Sequence, residues 1–236
     1  MTSTSLQDIR WFVIDDVAAI AKAVVAMITQ SANAAIEQHG HFSLVLAGGT
    51  TPQAVYHRLA SSEQAWAKWR LYYGDERCLP PEHAERNSQM VMETGLAQRA
   101  GAHYPIPAEL GAEAGATAYA PLVAAALPFD MVVLGMGEDG HTASLFPGHE
   151  MDGSALVLPV HNAPKPPPDR ISLSPRALQS CSEMIVMVTG SGKAAALQRW
   201  LQGEPLPIAL VTAACQGRVT VVTDQREVLE GVASLV

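Results

Sequence analysis

Apolar residues at Val17, Ile20, Ala21, Val24, Ile28, Ala32 and Ile36 recur at three- and four-residue intervals after Asp15 and Asp16. That is the spacing of a helix burying one face, and Gly40 stands where such a helix would stop. The pattern then changes. Phe42-Ser43-Leu44-Val45-Leu46-Ala47 is a short, nearly unbroken apolar run closed by Gly48-Gly49-Thr50-Thr51-Pro52. Pro52 suits the first turn of a second helix and Thr51 its cap, so the predicted order is strand, glycine loop, helix. Arg70-Leu71-Tyr72-Tyr73 runs similarly into Gly74-Asp75-Glu76-Arg77, and Met131-Val132-Val133-Leu134 into Gly135-Met136-Gly137.

An Ala-rich helical stretch from Gly111 to Leu127 separates the second and third of these runs. Glu183 to Thr189 and Ser191 to Gln202 repeat the strand-then-helix order, and Val219-Thr220-Val221-Val222 ends the series. Strands without two-residue alternation, interleaved with helices, predict an α/β fold: a doubly wound, largely parallel sheet with helices on both faces. Ligands of such sheets bind beyond the carboxyl ends of the strands, where the connections diverge. The glycine-bearing loops all follow predicted strands and are therefore expected to converge. Residues 1–236 are expected to form a single domain, because the chain is short for two. The proline run Ala163-Pro164-Lys165-Pro166-Pro167-Pro168-Asp169-Arg170 predicts an extended, stiff polyproline II segment, read as a surface loop rather than an interdomain linker.

Composition narrows the function classes. With 48% hydrophobic and 16% charged residues the chain is not of a disordered type, and no uninterrupted apolar run is long enough for a membrane span. A net charge of -8 argues against nucleic acid or acidic lipid as partner, so an anionic small ligand needs its own cluster of Lys and Arg. Met1 to Arg10 lacks the pattern of a secretory leader. Cys78, Cys181 and Cys215 are scattered and odd in number, which fits a reducing compartment such as the cytoplasm, without disulfides or a zinc ribbon.

The loops carry the candidate chemistry. In Gly48-Gly49-Thr50-Thr51 the glycines let backbone amides approach a ligand, and the helix that follows can hold phosphate; a tight strand-to-helix turn is the plain alternative. Gly74-Asp75-Glu76-Arg77 is either a solvated rim or a site where Arg77 grips an anion and Asp75 orders a hydroxyl or water. Cys78 needs no catalytic role. Gly135-Met136-Gly137-Glu138-Asp139-Gly140 matches a dinucleotide fingerprint, but Pro147 and the mid-chain position oppose that reading. It leaves Asp139 and His141 on a glycine-flanked loop, where a carboxylate can fix a histidine tautomer for general-base work; a capping histidine or a metal fragment is the alternative. No further Cys or His cluster accompanies the pair, so no closed zinc site is expected. His39 and His41 flank Gly40 and read as surface residues. Lys165 and Arg170 offer positive charge, with proline stiffening useful if the amine has a fixed phosphate target.

In order and spacing, Ala47-Gly48-Gly49-Thr50-Thr51-Pro52, Gly74-Asp75-Glu76-Arg77, Gly135 through Gly148 and Pro164 through Ser172 resemble the glucosamine-6-phosphate isomerase/6-phosphogluconolactonase family, on its lactonase side. The resemblance spans most of the chain. It implies a doubly wound α/β enzyme with no metal or organic cofactor, opening 6-phospho-D-glucono-1,5-lactone to 6-phospho-D-gluconate in the oxidative pentose phosphate pathway. It implies His141 as general base, steadied by Asp139, and Asp75 as a substrate-ordering carboxylate. Arg77, Lys165 and Arg170 are expected at the phosphate, with Gly48, Gly49, Thr50 and Thr51 lining the pocket. Arg86-Asn87-Ser88 departs from the Ser-Asn order common in the family, which leaves Arg86 and Ser88 unassigned. The oligomeric state is not implied.

Two other readings compete. A glucosamine-6-phosphate deaminase would share the fold and the Asp-Gly-His stretch, but Thr142-Ala143-Ser144-Leu145-Phe146-Pro147 lacks the acidic residue expected before Pro. A noncatalytic sugar-phosphate sensor would need an attached DNA-binding segment, and none precedes Ile9.

Overall fold

The strands and helices alternate along almost the whole chain. The computed structural model describes residues 6–149 and 153–231; Met1 to Ser5, part of the segment read above for a leader, lies outside them. The strands are β1 (Arg10–Val13), β2 (Phe42–Leu46), β3 (Trp69–Tyr73), β4 (Asp75–Arg77), β5 (Ala102–His103), β6 (Phe129–Gly135), β7 (Val157–Val160), β8 (Arg170–Leu173), β9 (Cys181–Val188) and β10 (Arg218–Thr223). The helices are α1 (Val17–His39), α2 (Thr50–Ala60), α3 (Asn87–Glu93), α4 (Leu96–Arg99), α5 (Ala112–Ala126), α6 (Pro175–Gln179), α7 (Ala194–Leu201), α8 (Pro207–Ala213) and α9 (Arg226–Glu230).

Helix α1 starts and stops where its chemistry dictates. Asp16 accepts a hydrogen bond from the Ala19 N–H at 2.8 Å, and Gly40, at φ 88°, ends the helix with its N–H on the Ile36 carbonyl. By length and composition α1 is apolar enough to cross a membrane, yet Ile20, Ala21, Val24, Ile28, Ala32 and Ala35 are buried against the rest of the fold. Helix α2 begins two residues earlier than expected, at Thr50 rather than Pro52. Gly49, at φ 111°, supplies the entry with no side-chain cap, so Thr51 does not cap; its Oγ1 instead meets the Thr189 Oγ1 at 2.6 Å, tying α2 to the end of β9.

The main sheet has seven strands in the order β1-β10-β9-β6-β2-β3-β5, every pairing parallel. Strand β2 is buried at every position and β6 at all but Gly135, so both faces of the sheet centre are covered. The chain runs outward from β2 through β3 to β5, and outward from β6 through β9 to β10 in the other direction. The carboxyl ends of β2 and β6 therefore bound the crevice at which the winding reverses.

A second, three-stranded antiparallel sheet, β4-β8-β7, was not visible in the sequence pattern. Asp75-Glu76-Arg77 forms its β4, directly beyond Gly74, and pairs with Arg170 to Ser172. The proline run is the connection between the paired strands β7 and β8. It is not an extended segment: the Ala163 N–H donates to the Pro168 carbonyl at 2.9 Å, folding the run into a compact loop.

Candidate active site

A cavity of about 370 Å³ opens at the crevice between β2 and β6. Gly48 and Gly49 line it from the end of β2, Gly74, Asp75 and Arg77 from β3 and β4, and Gly135, Gly137 and His141 from the loop after β6. Lys165, Pro166 and Arg170 come from the β7–β8 connection. The separate segments singled out above thus share one wall-to-wall site. Thr50 and Thr51 do not line it; Thr50 starts α2 and is exposed, and Thr51 is turned to Thr189.

The β6 loop is shaped around its histidine. His141 Nδ1 lies 2.5 Å from Asp139 Oδ1, and the same oxygen accepts the His141 backbone N–H. With the Nδ1 proton on the carboxylate, Nε2 is the nitrogen left to accept a proton. Burial pushes the Asp139 carboxyl up, but the His141 charge and hydrogen bonds outweigh it and hold the group below its ordinary value. The Phe146 ring packs beside the imidazole at 4.8 Å between centroids. Gly137 has a strict reason to be glycine, since a Cβ there would lie 2.0 Å from His141 Nδ1 and 2.6 Å from the Asp139 carboxylate.

Asp75 is held from two sides. Its Oδ1 accepts from Asn87 Nδ2 at 3.0 Å and its Oδ2 from the Ser144 hydroxyl at 2.6 Å. Asn87 is itself fixed, because it also donates to the Asp75 carbonyl and sits so close to Gly48 that a Cβ there would lie 2.0 Å from its Oδ1. Beneath this, Glu76 is fully buried and accepts the backbone N–H groups of Arg77, Asn87 and Ser88, with the Arg86 guanidinium 3.5 Å away. A buried carboxylate satisfied by so many donors is structural, and it seats the first turn of α3. Arg86, also paired with Glu109 at 2.9 Å, and Ser88 belong to this support.

The cations form the opposite character of the cavity. Arg77 anchors one guanidinium nitrogen on the Glu85 carbonyl at 2.6 Å, which positions the fork before any ligand arrives. Arg170 is buried, and its guanidinium donates to the carbonyls of Lys165, Pro166 and Pro167. It lines the cavity and at the same time braces the loop that presents Lys165. Burial pulls its basicity down. Lys193, ahead of α7, also lines the cavity and was missed in the sequence reading. Its signal was available: Gly190-Ser191-Gly192-Lys193 follows a buried strand just as the other loops do. Asn87 and Ser144 were missed as partners of Asp75. Burial and the neighbouring Asp169 push the Cys78 thiol up to about 11, so it stays protonated and is no nucleophile.

A parallel α/β sheet with a cation-lined, sugar-sized cavity at its switch point and a carboxylate-oriented imidazole on its wall defines an α/β protein built to handle a small anionic ligand. The model of the family described as Glucosamine-6-phosphate isomerases/6-phosphogluconolactonase matches residues 15–221, and the chain belongs to that family. It is 36% identical over 194 residues to the 6-phosphogluconolactonase of Homo sapiens, covering 72% of this chain and 73% of that one. To the enzyme of the same name from Rattus norvegicus it is 34% identical over 209 residues, covering 78% and 79%. Among solved structures, a 6-phosphogluconolactonase from Shewanella baltica superposes with a TM-score of 0.84 at 26% identity, over 92% of this chain and 98% of that chain. The 6-phosphogluconolactonase of Trypanosoma brucei gives 0.83 at 26% identity, over 95% and 98%. A monomeric glucosamine-6-phosphate deaminase shares the fold, with a TM-score of 0.77 at 19% identity.

Proposed function

We propose that this chain is a lactone hydrolase that opens 6-phospho-D-glucono-1,5-lactone to 6-phospho-D-gluconate in the oxidative pentose phosphate pathway, as a single domain in a reducing compartment such as the cytoplasm. The names of its relatives support the reaction class. The observation that carries the mechanism is the shared cavity: an imidazole oriented by Asp139 on one wall, and Arg77, Lys165 and Lys193 on others.

In this reading the phosphate is gripped by Arg77, Lys165 and Lys193, with Arg170 stiffening the Lys165 loop. Binding energy from that remote group orients C1 of the lactone. Asp75, held by Asn87 and Ser144, accepts a hydrogen bond from a substrate hydroxyl. His141 Nε2 takes a proton from water as the water oxygen attacks C1. Amides of the Gly48-Gly49 loop or a cation stabilise the oxyanion. The imidazolium, steadied by Asp139, then protonates the departing ring oxygen, which restores the neutral histidine and releases the acid. No protein nucleophile is used.

The test is a coupled assay with freshly generated 6-phosphogluconolactone beside the unphosphorylated lactone. Rapid opening of the phosphorylated substrate, with the other turned over at least tenfold less efficiently, is expected. Binding without acceleration over spontaneous opening, or ammonia release from glucosamine 6-phosphate, overturns the reading.

A further inference from the structure

At the end of the sheet remote from the cavity, His39 closes α1, His41 precedes β2, and Asp130 is the second residue of β6. Nδ1 of His39 and Nδ1 of His41 face each other at 3.3 Å. The other nitrogen of His39, Nε2, lies 2.9 Å from Asp130 Oδ1. Asp130 is buried, and its second oxygen accepts the Ser43 N–H at 2.7 Å and the Ser43 hydroxyl at 2.8 Å. The two histidines read as plain surface residues in the sequence are therefore part of an organised cluster.

We propose that His39 and His41 bind a divalent transition metal of the imidazole-preferring kind, such as Zn²⁺, through their two Nδ1 atoms, with Asp130 as the outer carboxylate. Three features carry this. Two imidazole nitrogens each about 2.0–2.1 Å from a tetrahedral ion stand about 3.3–3.4 Å apart, the separation seen here. A carboxylate takes the far Nε2–H of His39, which fixes the tautomer with a lone pair on Nδ1 and raises its basicity; that is the usual outer partner of a metal-bound histidine. Finally, His39 is the last residue of a 23-residue helix, whose carboxyl end carries partial negative charge and favours a cation. His39 is about a third exposed, so the remaining positions on the ion face water.

The opposing explanation is a proton shared between the two rings, with His41 Nδ1–H donating to His39. Zn²⁺ titration by calorimetry, in the wild type and in His141→Ala, separates the two. The second protein removes the carboxylate-backed imidazole of the cavity and keeps the active site from being mistaken for this one; the His39 and His41 variants do the same for His161, the imidazole between Asp169 and Glu113 that they leave in place. One ion is expected to bind here in both proteins, at least tenfold more weakly in His39→Asn and His41→Asn, and about 10- to 100-fold more weakly in Asp130→Asn. Imidazole ¹⁵N spectra of the unmutated chain are expected to show both Nδ1 signals moving with Zn²⁺. Equal affinity in wild type and His41→Asn, or a His41 Nδ1 that keeps its proton under saturating Zn²⁺, overturns the proposal even if a variant fails to fold.

Discussion

Strand β6 has a histidine–carboxylate pair near each end: His39 with Asp130 at its start, and His141 with Asp139 beyond its finish. The residue types are the same and the settings differ. Asp130 is buried and anchored by Ser43, whose backbone belongs to the neighbouring strand, so the pair is built into the amino-terminal end of the central strands. Asp139 sits on a glycine-flanked loop, more than a third exposed, and its histidine lines a cavity. A hydrogen-bonded imidazole alone does not mark a catalytic site. Strand polarity does more of the sorting, because parallel strands gather their variable connections at the carboxyl end.

Removing the histidine at each end in turn is the sharpest way to break this comparison. His141→Ala is expected to lower kcat/KM for 6-phosphogluconolactone about 10²- to 10⁴-fold, the usual worth of a general base, while His39→Ala leaves it unchanged. Equal losses in the two steady-state assays would erase the distinction. A smaller loss, about 10²-fold, is expected from Gly137→Ala, since the added Cβ would meet His141 Nδ1 at 2.0 Å and push the imidazole off its carboxylate. A wild-type kcat in that variant would mean the observed ring position is not the working one.

Lys165→Ala tests the charged wall instead. Losing one charge-assisted contact, about 1.5–3 kcal/mol, predicts a 10- to 100-fold rise in KM for the phosphorylated lactone and little change for the unphosphorylated one. The smallest effect concerns pH. Because the folded Asp139 carboxyl lies below its ordinary value, its contribution to stability is present above the usual carboxylate range, near pH ~3.9, and fades as pH falls through the folded value. Thermal midpoints of wild type and Asp139→Asn should therefore converge on acidification. A gap that widens toward low pH would reverse the assigned sign.

Much of the architecture was readable because the central strands are buried on both faces and spell themselves out as continuous apolar runs; β2, β3, β6, β9 and β10 all lie where expected. The small antiparallel sheet was not, because its strands are three or four residues long and β4 is wholly charged. Glu76 shows why: it is fully buried, and the donors that make burial tolerable lie 11 and 12 residues away in α3. Within the site, residue types clustered in one loop were legible, as Asp139 and His141 were. The support of Asp75 was not, since Ser144 is 69 positions distant and only the folded chain brings it near. The bracing by Arg170 was illegible for a similar reason: it lines the cavity as expected, but only the folded chain shows its Nε and Nη2 bound to carbonyls of its own loop.

The cavity's contributing groups arrive on separate connections that are tied to one another above a common rim: Asp75 after β3 is bonded to Ser144 of the loop that carries His141, and its strand β4 pairs with β8, which ends the loop of Lys165, while Lys193 follows β9. The connection that carries Lys193 is the one with no pairing in the small sheet, so among these it is the one whose exchange leaves both sheets' strand pairings in place. Such a rim stiffens as a unit, so a change in the Asp75 strand is felt at the histidine loop, whereas the Lys193 turn is the place where the cavity's outline can be retuned with least repercussion.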